Sequence, residues 1–101
     1  MALLHANWIG EPPEFTPEQF QQLMMEEAEQ LGIGDVLWDQ YISPLLQMRL
    51  CPANIRAFAL ATNTRLLTDI AELEDNAQER EMRQVLQLVR AIGVCADCVK
   101  V

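Results

Sequence analysis

A chain of 101 residues with 15 acids, 7 bases and a net charge of −8 is long enough for one domain. It holds no apolar run of the length a bilayer demands, which argues against a membrane span. Its acidity also disfavours direct binding to nucleic-acid phosphates or to anionic lipid. The charge is uneven. Glu11, Glu14, Glu18, Glu26, Glu27, Glu29, Asp35 and Asp39 all precede the first base, Arg49, after which seven acids balance seven bases. The N-terminal half therefore carries the whole net charge and suits a partner protein with a basic surface. Half the residues are hydrophobic, which is much for a small body in which surface dominates. That surplus predicts a homo-oligomer, or a partner that covers apolar surface.

Taken in order, residues 1–15 read as an N-terminal arm. Leu3, Leu4, Trp8 and Ile9 are too few to fold alone, and the Pro12–Pro13 pair stiffens an extended segment. His5 is the single histidine of the chain. A basic leader of secretory type is not evident, and an odd count of three cysteines argues against a disulfide framework. Both features lead to an expected cytoplasmic, reducing location.

Helical signals dominate from Thr16 onward. Thr16 as N-cap, Pro17 in the first turn and Gln19 three residues after the cap form a capping box. Phe15 and Phe20 flank it as a hydrophobic staple. Phe20, Leu23, Met24, Ala28 and Leu31 make an apolar stripe, with Glu26, Glu27 and Glu29 expected mostly on the other side. Gly32 ends this helix. Gly34 or Asp35 caps the next, which is bulky at Val36, Leu37, Trp38, Tyr41 and Ile42. Pro44 predicts a break or kink at 43, followed by a short helix over 44–50. Cys51–Pro52 ends that segment.

The stretch from Pro52 to Gly93 has no internal glycine or proline. Ile55, Phe58, Thr62, Leu66, Ile70 and Leu73 recur at helical spacing, as do Met82, Val85, Leu86, Val89 and Ile92. Two helices over 53–74 and 76–92, joined as an antiparallel hairpin, account for the loss of phase between Leu73 and Met82, and Asp75 with Gln78 offers a second capping box. One continuous helix is the competing reading. Residues 94–101 read as a C-terminal tail with strand preference and no evident pairing partner. The expected architecture is an all-α bundle of four to five helices over residues 16–93, between the arm and the tail.

Little in this pattern supports catalysis, and the expectation is a protein that is not an enzyme and uses no cofactor. A nucleophile needs an adjacent base, and the one histidine stands in the arm. The paired carboxylates lack the histidines of a di-iron site. The four glycines form no phosphate loop. Cys95 and Cys98 form a C-x-x-C, but a zinc site needs four ligands, and a metal-stapled domain would have to recruit Cys51 from far away. A redox role is disfavoured because these thiols follow a helix C-terminus, and small buried hydrophobes is the simpler reading. Trp38, Tyr41, Phe58, Met24, Met25 and Met48 are expected in the core, or in part as an adaptable apolar groove.

These features point to a protein–protein interaction module that buries an apolar helix face while its acidic half meets a basic surface. By analogy, small acidic helical proteins often act as adaptors, antiactivators or phage-encoded inhibitors. The expected contact residues are Trp8, Glu26, Glu27, Glu29 and Asp39. A rival reading makes the same carboxylates a nucleic-acid mimic, recognisable by binding that weakens steeply with salt.

Overall fold

In the computed structural model residues 14–74 and 77–99 are described, and they form a small all-α bundle. Four helical segments follow one another. Helix α1 spans Pro17–Leu31. Helix α2 covers 35–46, starting as Asp35–Leu37, widening to a π-turn over Trp38–Ile42 and tightening again at Ser43–Leu46. Helix α3 is Pro52–Ala71 and α4 is Glu79–Val94. A single 3₁₀ turn, Ala96–Cys98, follows α4.

The start of α1 is the expected capping box. Thr16 Oγ1 accepts from the Gln19 amide at 3.2 Å, and Gln19 Oε1 accepts from the Thr16 amide at 3.0 Å. Gly32 closes the helix in the left-handed region, at φ 74°. Its amide reaches Glu29 O at 3.2 Å, and the Ile33 amide reaches Ala28 O at 3.0 Å. This is a Schellman ending, which satisfies the orphan carbonyls of the last turn. Phe15 and Phe20 are both buried.

Pro44 does not break α2. A proline inside a helix strands the carbonyl four residues before it and crowds its ring against that carbonyl. Here the π-turn sits just ahead of the proline and opens the backbone, with the Ser43 amide bonded to Trp38 O. The carbonyl at the stranded position, Gln40, accepts from Arg65 Nη1 at 3.5 Å. The helix then ends at Leu46, short of the expected residue 50, and Leu50 is buried from the loop. Cys51 is extended (φ −117°, ψ 155°), as the residue before a proline prefers, and Pro52 opens α3.

Helices α3 and α4 are separate and pack antiparallel, so the single long helix is excluded. The end of α3 lies three residues before the expected 74, and α4 begins at Glu79 with Gln78 as its N-cap, without a side-chain capping bond. Asp75, the other half of the expected box, lies outside the described residues. Ile55, Thr62, Leu66 and Ile70 of α3 are buried. So are Met82, Val85, Leu86, Leu88, Val89, Ala91 and Ile92 of α4, which makes α4 the central element, covered on two sides. The Glu79–Arg83 pair forms at 3.3 Å.

Two sequence expectations fail near the C-terminus. Gly93 does not stop α4, which runs on to Val94. Its missing side chain lets α3 come close: a Cβ there would stand 3.2 Å from Ala59 Cβ. Nor does the following segment behave as a tail. Cys95, Ala96, Cys98 and Val99 are buried, the Phe15 amide donates to Cys98 O at 2.7 Å, and Val99 pairs with Phe15 in an isolated parallel bridge. The strand-preferring valine thus has a partner from the other end of the chain, one that no local pattern reveals.

Candidate partner-binding groove

The Schellman turn after α1 folds Ile33 back against Ala28 and brings the start of α2 alongside the outer turn of α1. Between them lies an open groove of about 280 Å³ lined by Met25, Ala28, Glu29, Ile33, Asp35 and Trp38. Met25 is 52% exposed although it belongs to a long apolar type. Trp38 is half-buried, so its ring is fixed by the bundle on one side and offered on the other. Glu29 and Asp35 are exposed and place two carboxylates beside this apolar lining. Methionine adapts its shape to a variety of apolar side chains. The combination suits an apolar side chain with a cation near it.

Two contacts from elsewhere in the chain hold the turn before α2 and α2 itself in place. The Gly34 amide donates to Glu81 Oε1 of α4 at 3.1 Å, anchoring the turn between α1 and α2. On the far side of α2, the Tyr41 hydroxyl donates to Asp69 Oδ2 of α3 at 2.6 Å. The Arg65 guanidinium lies 4.8 Å from the Tyr41 ring centre and 3.8 Å from Asp69. Burial, and then the hydrogen bond to Asp69, push the Tyr41 hydroxyl up to about 12. It stays protonated at any physiological pH, so the bond to Asp69 persists and the cluster clamps α2 to α3.

The expected contact residues scatter. Glu29 lines the groove. Glu26 is exposed on the same helix and accepts from Gln22 Nε2 at 3.4 Å. Asp39 is exposed on α2. Glu27 is only 2% exposed and stands with the core residues of α1, which corrects its placement on the polar face. Trp8, like His5, lies outside the described residues. Met25 and Met48, expected in the core, are on the surface, whereas Met24 and Tyr41 are buried. The groove residues Met25 and Trp38 were legible only as members of an apolar set. What the sequence does not reveal is that Ile33 and Asp35 flank them, because that depends on the path after Gly32.

The three thiols form no disulfide. Burial and the neighbouring Cys98 raise the Cys95 thiol to about 12, opposite to what a reactive cysteine needs. Among the described residues no three histidine, cysteine or acidic side chains gather as a metal site. Cys51 is therefore not brought together with Cys95 and Cys98 as a metal-stapled domain requires. Among the described residues, too, no helix is long and apolar enough to cross a membrane. Comparison of the chain with protein-family models, curated proteins and solved structures finds no match.

Proposed function

We propose that this protein is a non-enzymatic interaction module, an adaptor or inhibitor of the small acidic kind, that holds a basic amphipathic segment of a partner protein in the groove between α1 and α2. The observation that carries this reading is the exposed Met25 and half-buried Trp38 side by side with the exposed carboxylates of Glu29 and Asp35. Exposed apolar surface costs free energy in water and is relieved by cover. The carboxylates then select a partner whose apolar anchor is flanked by lysine or arginine, and repel acidic segments. Tyr41, Gln40, Arg65 and Asp69 act at one remove, by keeping α2 in place.

A calorimetric titration with a synthetic leucine–lysine amphipathic helix, and with its leucine–glutamate counterpart as control, tests this. The basic peptide should bind and the acidic one should not. Reversing both carboxylates in Glu29→Lys with Asp35→Lys should weaken the basic peptide by about three- to thirtyfold, from two exposed ion pairs of modest strength each. Met25→Glu should weaken it as well, at little cost to folding since the side chain is half outside. Equal binding of the two peptides, or binding indifferent to these substitutions, would refute the proposal.

A further inference from the structure

The C-x-x-C after α4 plays no part in the groove, and it carries an independent inference. Cys95 caps α4, its amide bonded to Ala91 O at 3.0 Å, and Cys98 ends the 3₁₀ turn that follows. The Cys98 amide donates back to Cys95 O at 3.0 Å, so the two cysteines bracket one tight turn. A 3₁₀ helix completes a turn in three residues and rises roughly 6 Å over it. A disulfide joins α-carbons about 4.4–6.8 Å apart. The side chains already meet, because a hydrogen bond links the two thiols. Joining the sulfurs therefore asks for the loss of two hydrogens and little movement of the backbone. As metal ligands the pair falls short, since a zinc site needs four and no third group joins them among the described residues.

Both cysteines are closed to solvent, Cys95 at 0% and Cys98 at 3% exposure. The turn that closes them is tied lightly. Asp97 pairs with Arg56 of α3, the two side chains 78% and 51% exposed. The Phe15 amide donates to Cys98 O at 2.7 Å, and Val99 pairs with Phe15 in the isolated bridge. A single turn held by so few bonds opens locally at less cost than the whole fold. While it is closed, burial and the neighbouring Cys98 keep the Cys95 thiol protonated, and an oxidant has no access. Once it opens, both thiols meet water and thiolate can form.

We propose that Cys95 and Cys98 form a disulfide site, oxidised by a small disulfide of the glutathione type when the 3₁₀ turn lifts from α3. One thiolate attacks a sulfur of the oxidant, forming a mixed disulfide and expelling one thiol. The other thiolate then attacks the protein sulfur of that mixed disulfide and expels the second. Two electrons and two protons pass from the cysteine pair to the oxidant, which leaves as two thiols. The product staples the end of α4 to the turn that receives Phe15. When the turn closes again, burial shields the new bond from reduction.

Incubation of the full chain, in a Cys51→Ser background, with oxidised and reduced glutathione at a series of ratios tests this by thiol titration and intact mass. Both remaining thiols should disappear together, with a mass lower by two hydrogens, no glutathione retained, and full recovery in excess dithiothreitol. Cys95→Ala and Cys98→Ala should each keep one glutathione instead, with an unchanged helical signal, because the resolving thiol is gone. Arg56→Gln should speed the oxidation about two- to fivefold, the range of one surface ion pair. A pair that stays reduced at every ratio, a stable glutathione adduct on the intact pair, or covalent dimers in place of the intrachain bond would overturn the proposal. An Arg56→Gln rate equal to the parent's would overturn the route through the open turn.

Discussion

Replacing Tyr41 by phenylalanine removes one hydroxyl from the clamp that holds the π-turn of α2 to α3. The ring is 2% exposed, so phenylalanine keeps the packing and the contact with Arg65. A hydrogen bond to a charged acceptor contributes about 1.5–3 kcal/mol. Asp69 retains Arg65 at 3.8 Å and is 33% exposed, so the lower end applies, about 1.5 kcal/mol. For a domain of this size the expected fall in Tm is roughly 6–12 °C. The pH dependence gives a second, independent signature. The hydroxyl is raised from 10.0 to about 12 in the folded state. Burial first, and the Asp69 bond second, make the folded state favour the protonated hydroxyl; that preference is complete below about pH 10 and is lost as pH rises through about 12, at a cost to the wild-type protein of roughly 2–3 kcal/mol. Chemical denaturation of both proteins across the alkaline range should show a constant gap up to about pH 10 that narrows above it and reverses toward 12, where the wild-type protein becomes the less stable of the two. A gap that stays constant through that range, or one below about 0.5 kcal/mol at neutral pH, would contradict the role given to this bond.

Thr16→Ala removes the acceptor for the Gln19 amide and should cost about 1 kcal/mol, read as a fall of roughly 4–8 °C in Tm, with the partner-binding groove unchanged. Thiol counting at mildly alkaline pH should find one rapidly labelled cysteine, the half-buried Cys51. Cys95, raised to about 12, and the buried Cys98 should react only after denaturation; rapid labelling of two or three thiols in the native protein would refute their placement.

The helical elements were legible where local chemistry decides them. Thr16, Pro17, Gln19 and Gly32 mark both ends of α1 without help from the rest of the chain, and the two apolar stripes of α3 and α4 follow from spacing alone. The failures arise where a distant contact decides. Gly93 looks like a helix stop until Ala59 is known to stand against it. Val99 looks unpaired until Phe15 arrives from more than eighty residues away. Pro44 looks like a break because nothing local shows that a π-turn and Arg65 take up the displaced carbonyl. Glu27 is a different case. It follows Phe20 by seven residues and Met24 by three, so the helical period places it on the buried stripe; its charge masked a position that spacing had right. Met25 and Trp38 read as core because burial is usual for their types, and the groove between them exists only once the turn at Gly32–Ile33 is known.

The central claim is that this protein acts by holding a basic, apolar segment against α1 and α2. Amide and indole chemical-shift mapping of the isotope-labelled protein during titration with the leucine–lysine helix tests it most directly. The account expects the largest saturable shifts at Met25, Ile33, Asp35 and the Trp38 indole, with α3 residues such as Leu60 and Leu67 unmoved. Shifts spread evenly over the acidic surface, or centred away from the groove, would contradict it.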